Sequence, residues 1–396
     1  MGKRNTWAAV CALFLVAVSA GAQGFRNPPE GPASISQAGA FVAQCDDASA
    51  VMHNPAGLVQ VEGEQVVVGS TLLFPFTSFK SGTLDTEKKF SSGYMPYAFY
   101  STDLGGGNAR FGIGLASPFG QSTEWGKNAV RHWNYAVSDY SSMRTAEMSA
   151  VMAFRISPEL SAGLGLGICR SELDIDSLRV FPPPYPPGEF REKIDVAGTA
   201  AAPVGGILYN NGRVSAGLAF RAGYDMKHSG TYSIPGIMLH EKASIEMEFP
   251  PCVSAGLAVY PEPGLKIELD AHWYGYSSLD VMKLSVRGLG SVSMARDWKD
   301  SRMFSLGMEY RKSSRIKLRA GLGYISSPVP SSTWEPSIPD ADSFIVSAGG
   351  EFETGFGTLG LGMGVNILKS IERGMPYAGK YESKGYFISF GYRKKI

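Results

Sequence analysis

The chain has 396 residues, with 37 Lys+Arg against 36 Asp+Glu and a formal net charge of +1. Only 18% of residues are charged, 48 are glycine (about 12% against ~7% in an average protein), and mean hydropathy is −0.05. This combination excludes disorder, a coiled coil and a bundle of membrane helices, and it makes no electrostatic case for nucleic acid; a large all-β protein or an outer-membrane barrel remains.

In chain order, residues 1–22 read as a Sec signal peptide. Lys3 and Arg4 form the charged region, the run from Trp7 to Val18 is apolar, and Ala20, Gly21 and Ala22 make a small-x-small cleavage site. The mature chain is expected to start at Gln23. Cleavage removes one Lys and one Arg and leaves a net charge of −1. Cys11 lies inside the apolar run, too early for a lipoprotein cysteine. No later segment is long and apolar enough for a spanning helix.

Residues 23–63 are rich in Ala, Gly, Ser and Pro, with helix-permissive stretches such as 34–40 and no sustained alternation. Near Gln65 the pattern changes to period two and holds to the C-terminus. The division is therefore 1–22, 23–63 and 64–396. Val214, Ala216, Leu218, Phe220 and Ala222 oppose Arg213, Ser215, Gly217, Ala219 and Arg221. Leu265, Ile267 and Leu269 oppose Lys266, Glu268 and Asp270; Leu318, Ala320 and Leu322 oppose Lys317, Arg319 and Gly321. A soluble sandwich would alternate too. Segments of about 9 to 11 residues, a polar row rich in Gly and Ser, and aromatics near strand ends (Tyr97, Phe99 and Tyr100; Trp273, Tyr274 and Tyr276; Tyr386 and Tyr392) favour a transmembrane antiparallel barrel. There are about 14 to 17 candidate strands, and single-chain bacterial barrels use even numbers; about 14 fits the length. The apolar row is assigned to lipid and the row of Arg221, Glu268 and Arg319 to the lumen, so Arg221→Leu is expected to be mild.

One run is ambiguous. Leu160, Ala162, Leu164, Leu166 and Ile168 are followed on the same parity by Arg170, Glu172, Asp174 and Asp176. Either the strand has left the membrane by Arg170, or a bulge at Cys169–Arg170 exchanges the two faces and sets Arg170 beside the lumen. The prolines of residues 181–188 make a stiff external loop, and residues 327–342, with Pro328, Pro330, Pro336 and Pro339, make a second.

Chemistry-bearing motifs are absent. The five histidines lie singly, without metal-ligand spacing, and there is no nucleophile elbow, P-loop or zinc-protease motif. Gly163, Gly165 and Gly167 keep a strand's spacing of two. No catalytic residue, metal or cofactor is expected. Cys45, Cys169 and Cys252 are read as buried small hydrophobes, with one long-range disulfide left open.

Asp46-Asp47-Ala48-Ser49-Ala50-Val51-Met52-His53-Asn54-Pro55-Ala56-Gly57-Leu58 resembles the Asn-Pro-Ala hatch motif of the FadL/TodX family of outer-membrane long-chain fatty-acid transporters. Three further stretches agree in order: Gly112 to Gly120, ending in Pro118-Phe119-Gly120; Asp297-Trp298-Lys299-Asp300; and Ser327-Pro328-Val329-Pro330 with Ser337-Ile338-Pro339-Asp340. The chain departs from the family at its end, where Arg393-Lys394-Lys395-Ile396 follow Tyr392 instead of a terminal aromatic. The resemblance implies a 14-stranded barrel plugged by an N-terminal hatch, Asn54, Pro55 and Ala56 as the hatch motif, and uptake of a long-chain fatty acid or other hydrophobic ligand. Release would follow movement of the hatch, sideways through a kink in the wall. Lumen cations would meet the carboxylate. Arg221 and Arg319 are candidates from their polar rows; Arg170 and Arg296 lie where the family tends to supply such charges. The implied setting is the outer membrane of a diderm bacterium, with the chain a monomer whose partners are ligand, lipid and the assembly machinery. The alternatives are a general porin or structural barrel, marked by an open lumen, and an outer-membrane lipid enzyme, marked by a Ser–His pair on neighbouring strands.

Overall fold

A computed structural model describes residues 24–396 apart from 83, 182 and 184–186. The expected signal peptide and its cleavage site lie outside the described residues.

Fourteen antiparallel positions close a barrel. Around the wall come β1 (Gln65–Ser81), with the short β2 (Leu84–Glu87) folded back on its upper end, then β3 (Gly93–Asp103). The third position is β4 (Ala109–Ala116) continued by β5 (Gly120–Glu124). β6 (Tyr140–Arg155), β7 (Leu160–Arg179) and β8 (Phe190–Asn210) follow. Next are β9 (Val214–Arg221) with β10 (Tyr224–Ile234), and β11 (Leu239–Phe249) with β12 (Cys252–Glu262). β13 (Leu265–Tyr274) is continued by β14 (Val281–Val286), and β15 (Gly290–Ala295) by β16 (Ser301–Arg311). β17 (Ile316–Ile325), β18 (Ser343–Thr354), β19 (Gly357–Leu368) with β20 (Ile371–Arg373), and β21 (Gly379–Lys395) complete the circle. β21 returns to β1 in register from Gln65↔Lys395 to Lys80↔Lys380. This pairing of last strand to first leaves the sheet without an open end strand, as a lipid-facing sheet requires. The lower end carries short turns and both ends of the barrel chain; the upper end carries the longer connections, the arrangement of periplasmic and extracellular sides.

The alternation sorts as expected in the lower half. Leu164, Leu218, Leu269, Leu318 and Leu322 face outward, while Arg221, Lys266, Glu268, Asp270 and Arg319 are buried inside. The girdle reading holds only in part: Trp273 and Tyr386 face outward, but Tyr97, Phe99, Tyr274 and Tyr276 are buried in the lumen. The ambiguous run has no bulge. β7 keeps one register with β6 from Tyr140↔Asp176 to Arg155↔Ser161 and with β8 over its full length. Arg170 stays on the outer row beside Ile168, both exposed, so no exchange of faces sets Arg170 beside the lumen. On the inner row, Gly163, Gly165 and Gly167 give way to Leu173 and Ile175.

Residues 24–63 pack against the inner row. They form two short helices, α1 (Pro32–Ser36) and α2 (Ala50–His53), and a 3-10 turn at Pro55–Gln60. Glycines in the wall make room for this backbone. A Cβ at Gly163 would lie 2.6 Å from the Ala56 nitrogen, and one at Gly206 would run into Asn54 Oδ1. Inner-row carboxylates hold the same segment. Asp270 Oδ2 accepts from the N–H groups of Phe41 (2.8 Å) and Val42 (2.9 Å); Glu268 Oε1 accepts from Ala43 (2.7 Å) and Gln44 (3.2 Å). Four backbone donors of the segment are thereby satisfied by the wall.

Residues 327–342 differ from the external loop expected of them. Trp334, Ser337 and Asp340 are buried, and the loop folds down into the barrel mouth. Indole burial explains this: Trp334 packs edge-on against Tyr381 at 4.7 Å and donates to the Asp340 carbonyl at 3.1 Å. Cys45, Cys169 and Cys252 are free and buried.

Candidate ligand site in the lumen

The wall is interrupted between β3 and β5. β4 pairs with β3 from Ala98↔Leu115 to Asp103↔Arg110, but β5 forms its ladder with β6 alone. Ser117, Pro118 and Phe119 separate the two halves, and Pro118 has no N–H to offer a ladder. The N-terminal segment satisfies part of the interrupted edge from inside. The Asn27 N–H donates to the Pro118 carbonyl (2.9 Å), Asn27 Nδ2 to the Ser117 carbonyl (2.7 Å), and the Gly120 N–H to the Phe25 carbonyl (2.8 Å). The Phe25 ring meets Phe119, Phe249, Tyr276 and Trp298, with centroids 5.2 to 5.8 Å away. Each partner lies at or beside a break in its own wall position, so one aromatic cluster seats the segment at the level of the breaks.

Above this cluster lies a cavity of about 210 Å³ with Phe25 at its floor. β6, β7 and β8 contribute Met143, Leu173, Ile175 and Ile194; β11 contributes Ile245 and Met247; β14 and β15 contribute Met282, Leu284 and Met294. The inward loop adds Glu335, Ser337 and Ile338. For scale, a dry apolar cavity of ~150 Å³ takes up benzene. Methionine side chains adapt to varied apolar shapes. Two ion pairs flank the cavity: Arg179 Nε–Glu192 Oε2 at 2.8 Å and Arg296 Nη1–Glu335 Oε1 at 3.0 Å. Tyr232 donates to Glu192 (2.8 Å), and Ser337 to Glu335 (2.7 Å).

The four arginines singled out in the sequence are not brought together. Arg296 lines this cavity. Arg221 sits lower, paired with Glu147 and donating to Ser149 (3.2 Å) and to the N-terminal segment's Val51 carbonyl (3.3 Å). Arg319 is buried in the lower lumen between Glu309 (2.7 Å) and Glu351 (3.2 Å). Arg170 is outside, 3.6 Å from Glu172. Asn54, Pro55 and Ala56 form the turn at the wall. Asn54 Oδ1 accepts from the Ala56 N–H (3.2 Å), and Nδ2 donates to the carbonyls of Val42 (3.1 Å) and Ile207 (3.2 Å). Sequence reasoning missed Arg179, although it shares the inner parity of Leu173, Ile175 and Ser177. It also missed Phe25, which carries no periodic signal.

Two Ser–His pairs do sit on the wall. Ser254 Oγ lies 2.8 Å from His272 Nδ1, and Ser171 Oγ lies 2.9 Å from His228 Nε2. Neither lines the upper cavity. The second ring nitrogen of His228 faces the Ile245 carbonyl at 3.3 Å, and that of His272 has no partner among the described residues. Neither imidazole is oriented by a carboxylate, as a Ser–His–acid triad would have it.

A family model described as outer membrane protein transport protein (OMPP1/FadL/TodX) matches residues 13–381. A long-chain fatty acid transport protein of Salmonella typhi is 22% identical over 354 residues, covering 78% of each chain. Among solved structures, a Pseudomonas aeruginosa FadL homologue superimposes with a TM-score of 0.84 at 17% identity, over 94% of this chain and 99% of that one. The Pseudomonas putida toluene transporter TodX does so with a TM-score of 0.77 at 17% identity, over 95% and 100%.

Proposed function

Since the chain belongs to the OMPP1/FadL/TodX family of outer-membrane transport proteins, whose members are channels and not enzymes, we propose that it takes up long-chain fatty acids or similar hydrophobic small molecules, binding them in the lumen and releasing them sideways past a mobile N-terminal hatch. The observation that carries this reading is the apolar upper cavity floored by Phe25, a residue of the very segment that lines the interrupted wall. Burying each CH₂ of a ligand there contributes roughly 0.8 kcal/mol. A long tail would be held too tightly to leave unless the floor moved. Displacing Phe25 and Asn27 removes the floor and the cover of the β3–β5 gap in one motion, which couples ligand entry to a lateral exit. Asn54, Pro55 and Ala56 anchor the rest of the hatch. Arg296 and Arg179 are the cations closest to a bound head group. In this reading residues 1–22 direct export, and the barrel works as a monomer in the outer membrane, without cofactor or nucleic acid.

Lipid extraction of protein purified without detergent exchange should recover a bound fatty acid or neutral hydrophobe. Deleting residues 24–63 should raise single-channel conductance in a planar bilayer. An empty wild-type barrel that conducts ions as well as the deletion variant would instead support a porin.

A further inference from the structure

Most cations inside this barrel are already matched. Arg179, Arg221, Lys266, Arg296 and Arg319 each have a carboxylate within 4.0 Å. Lys88 does not, among the described residues. It lies in the connection between β2 and β3 and is only 8% exposed. Its Nζ donates to the Ser122 carbonyl at 3.2 Å, which uses one of an ammonium's three donors. A buried charge without a counter-charge is expensive and calls for an explanation.

Its position supplies one. The Lys88 N–H donates to the Thr77 carbonyl (2.8 Å) and the Lys89 N–H to the Glu124 carbonyl (2.8 Å). The connection is therefore strapped from β1 to β5, across the upper end of the β3–β5 gap. Ser122 belongs to the β5 edge that faces the gap. Beside Lys88 is a small cavity of about 20 Å³, lined also by Thr77, Thr123, Gln121 and Ile338. That is room for one water-sized group. Gln121 and Ile338 line the 210 Å³ cavity as well. Lys88 thus stands one side-chain layer behind the ligand cavity, on the side of the gap.

We propose that Lys88 is a head-group subsite, where the carboxylate of an anionic amphiphile is received as it passes from the upper cavity to the gap. The inference rests on the transport reading above. The electrostatics favour this station over the two flanking arginines. A carboxylate arriving at Arg296 or Arg179 competes with Glu335 or Glu192, whereas at Lys88 it neutralises a charge that has no counter-charge among the described residues. Exchange of the Ser122 carbonyl for the carboxylate makes the pair neutral, which suits passage into lipid. A neutral hydrophobe gains nothing at Lys88, so the residue sorts acids from uncharged ligands.

The test uses the full-length chain in liposomes, with oleic acid and methyl oleate as probes and transfer rate as readout. Lys88→Met, which keeps the aliphatic stem, should slow oleate about tenfold, the scale of one hydrogen bond to a charged group, and leave methyl oleate nearly unchanged. Lys88→Arg should retain the preference for the acid. Removing an unmatched buried charge should not lower the melting temperature, so a slow, fully folded Lys88→Met protein reports on the head group. If the oleate-to-ester ratio is the same in wild type and Lys88→Met, the subsite is wrong while transport stands. If wild type moves neither probe, the transport reading falls and the subsite with it.

Discussion

The lower and upper halves of the lumen are built on the same strands with the same parity, yet their chemistry is opposite. β7 shows both. Below, Gly163, Gly165 and Gly167 face inward against residues 55–56 and other interior groups, with Leu164, Leu166 and Ile168 outward. Above, Leu173 and Ile175 line the cavity while Arg170, Glu172, Asp174 and Asp176 lie on the outer row. β8 repeats this: Ile194 and Val196 are buried, while Lys193 and Asp195 are exposed. The outside of the wall passes from an apolar row to a charged one, and the inside passes from a packed peptide segment to a cavity lined by Leu173, Ile175 and Ile194. Parity tells which face a residue is on, and depth tells what that face meets.

The contrast can be broken hardest in the lower half. Arg221→Leu is no longer expected to be mild. Glu147 would be left buried without its guanidinium, and removal of one partner of a buried pair costs ~3–5 kcal/mol. Adding Glu147→Gln should recover much of that loss; denaturant unfolding of the single and double variants measures it. Next, Leu318→Arg, on the lower outer row, should cost about 2–4 kcal/mol near the midplane. Arg170→Leu on the upper outer row should stay within ~0.5 kcal/mol, the range of ordinary surface changes. Equal effects at the two depths would refute the division. Third, Asn54→Ala leaves the carbonyls of Val42 and Ile207 short of a donor and should weaken the seat of the N-terminal segment by ~1–3 kcal/mol. The expected readout is more frequent channel opening in a planar bilayer, with the barrel's melting temperature little changed.

The smallest effect probes the boundary between the halves. The Gly24 N–H donates to Asp340 Oδ2 at 2.9 Å, so the inward loop holds the start of the described chain. Burial pushes the Asp340 carboxyl up from 3.8 to about 7, against the lowering effect of the Gly24 N–H. A carboxyl raised in the folded state contributes stability that is complete below its unfolded value and lost as pH rises through the folded one. Ionisation strengthens the Gly24 bond itself but penalises the burial of Asp340, so the packing of the inward loop around this carboxyl should loosen between about pH 4 and 7. Trp298, packed on Phe25 5.7 Å away, is the reporter: its fluorescence should change across this window in wild type and stay flat in Asp340→Asn.

Much of the barrel was legible. Leu218 against Arg221 and Leu318 against Arg319 separate by parity alone, because a strand's side chains alternate whatever the strand packs against. Asn54, Pro55 and Ala56 stood out in the sequence as a turn, but their partners at Gly163, Gly206 and Ile207 lie more than a hundred residues away and leave no local pattern. Arg170 misled for a related reason. Nothing within the run from Leu160 to Asp176 says at what height the membrane ends.

By itself, the sequence determined an alternating chain of the right length and glycine content for a closed barrel, because period and composition are local properties. The tertiary structure decided which charges are matched and which, like Lys88, find no counter-charge among the described residues. It decided where the wall fails to pair, and that Phe25 lies beneath a cavity assembled from seven strands and an inward loop. These depend on contacts between residues distant in the chain, and a buried charge or an apolar surface acquires its energy only from what closes around it.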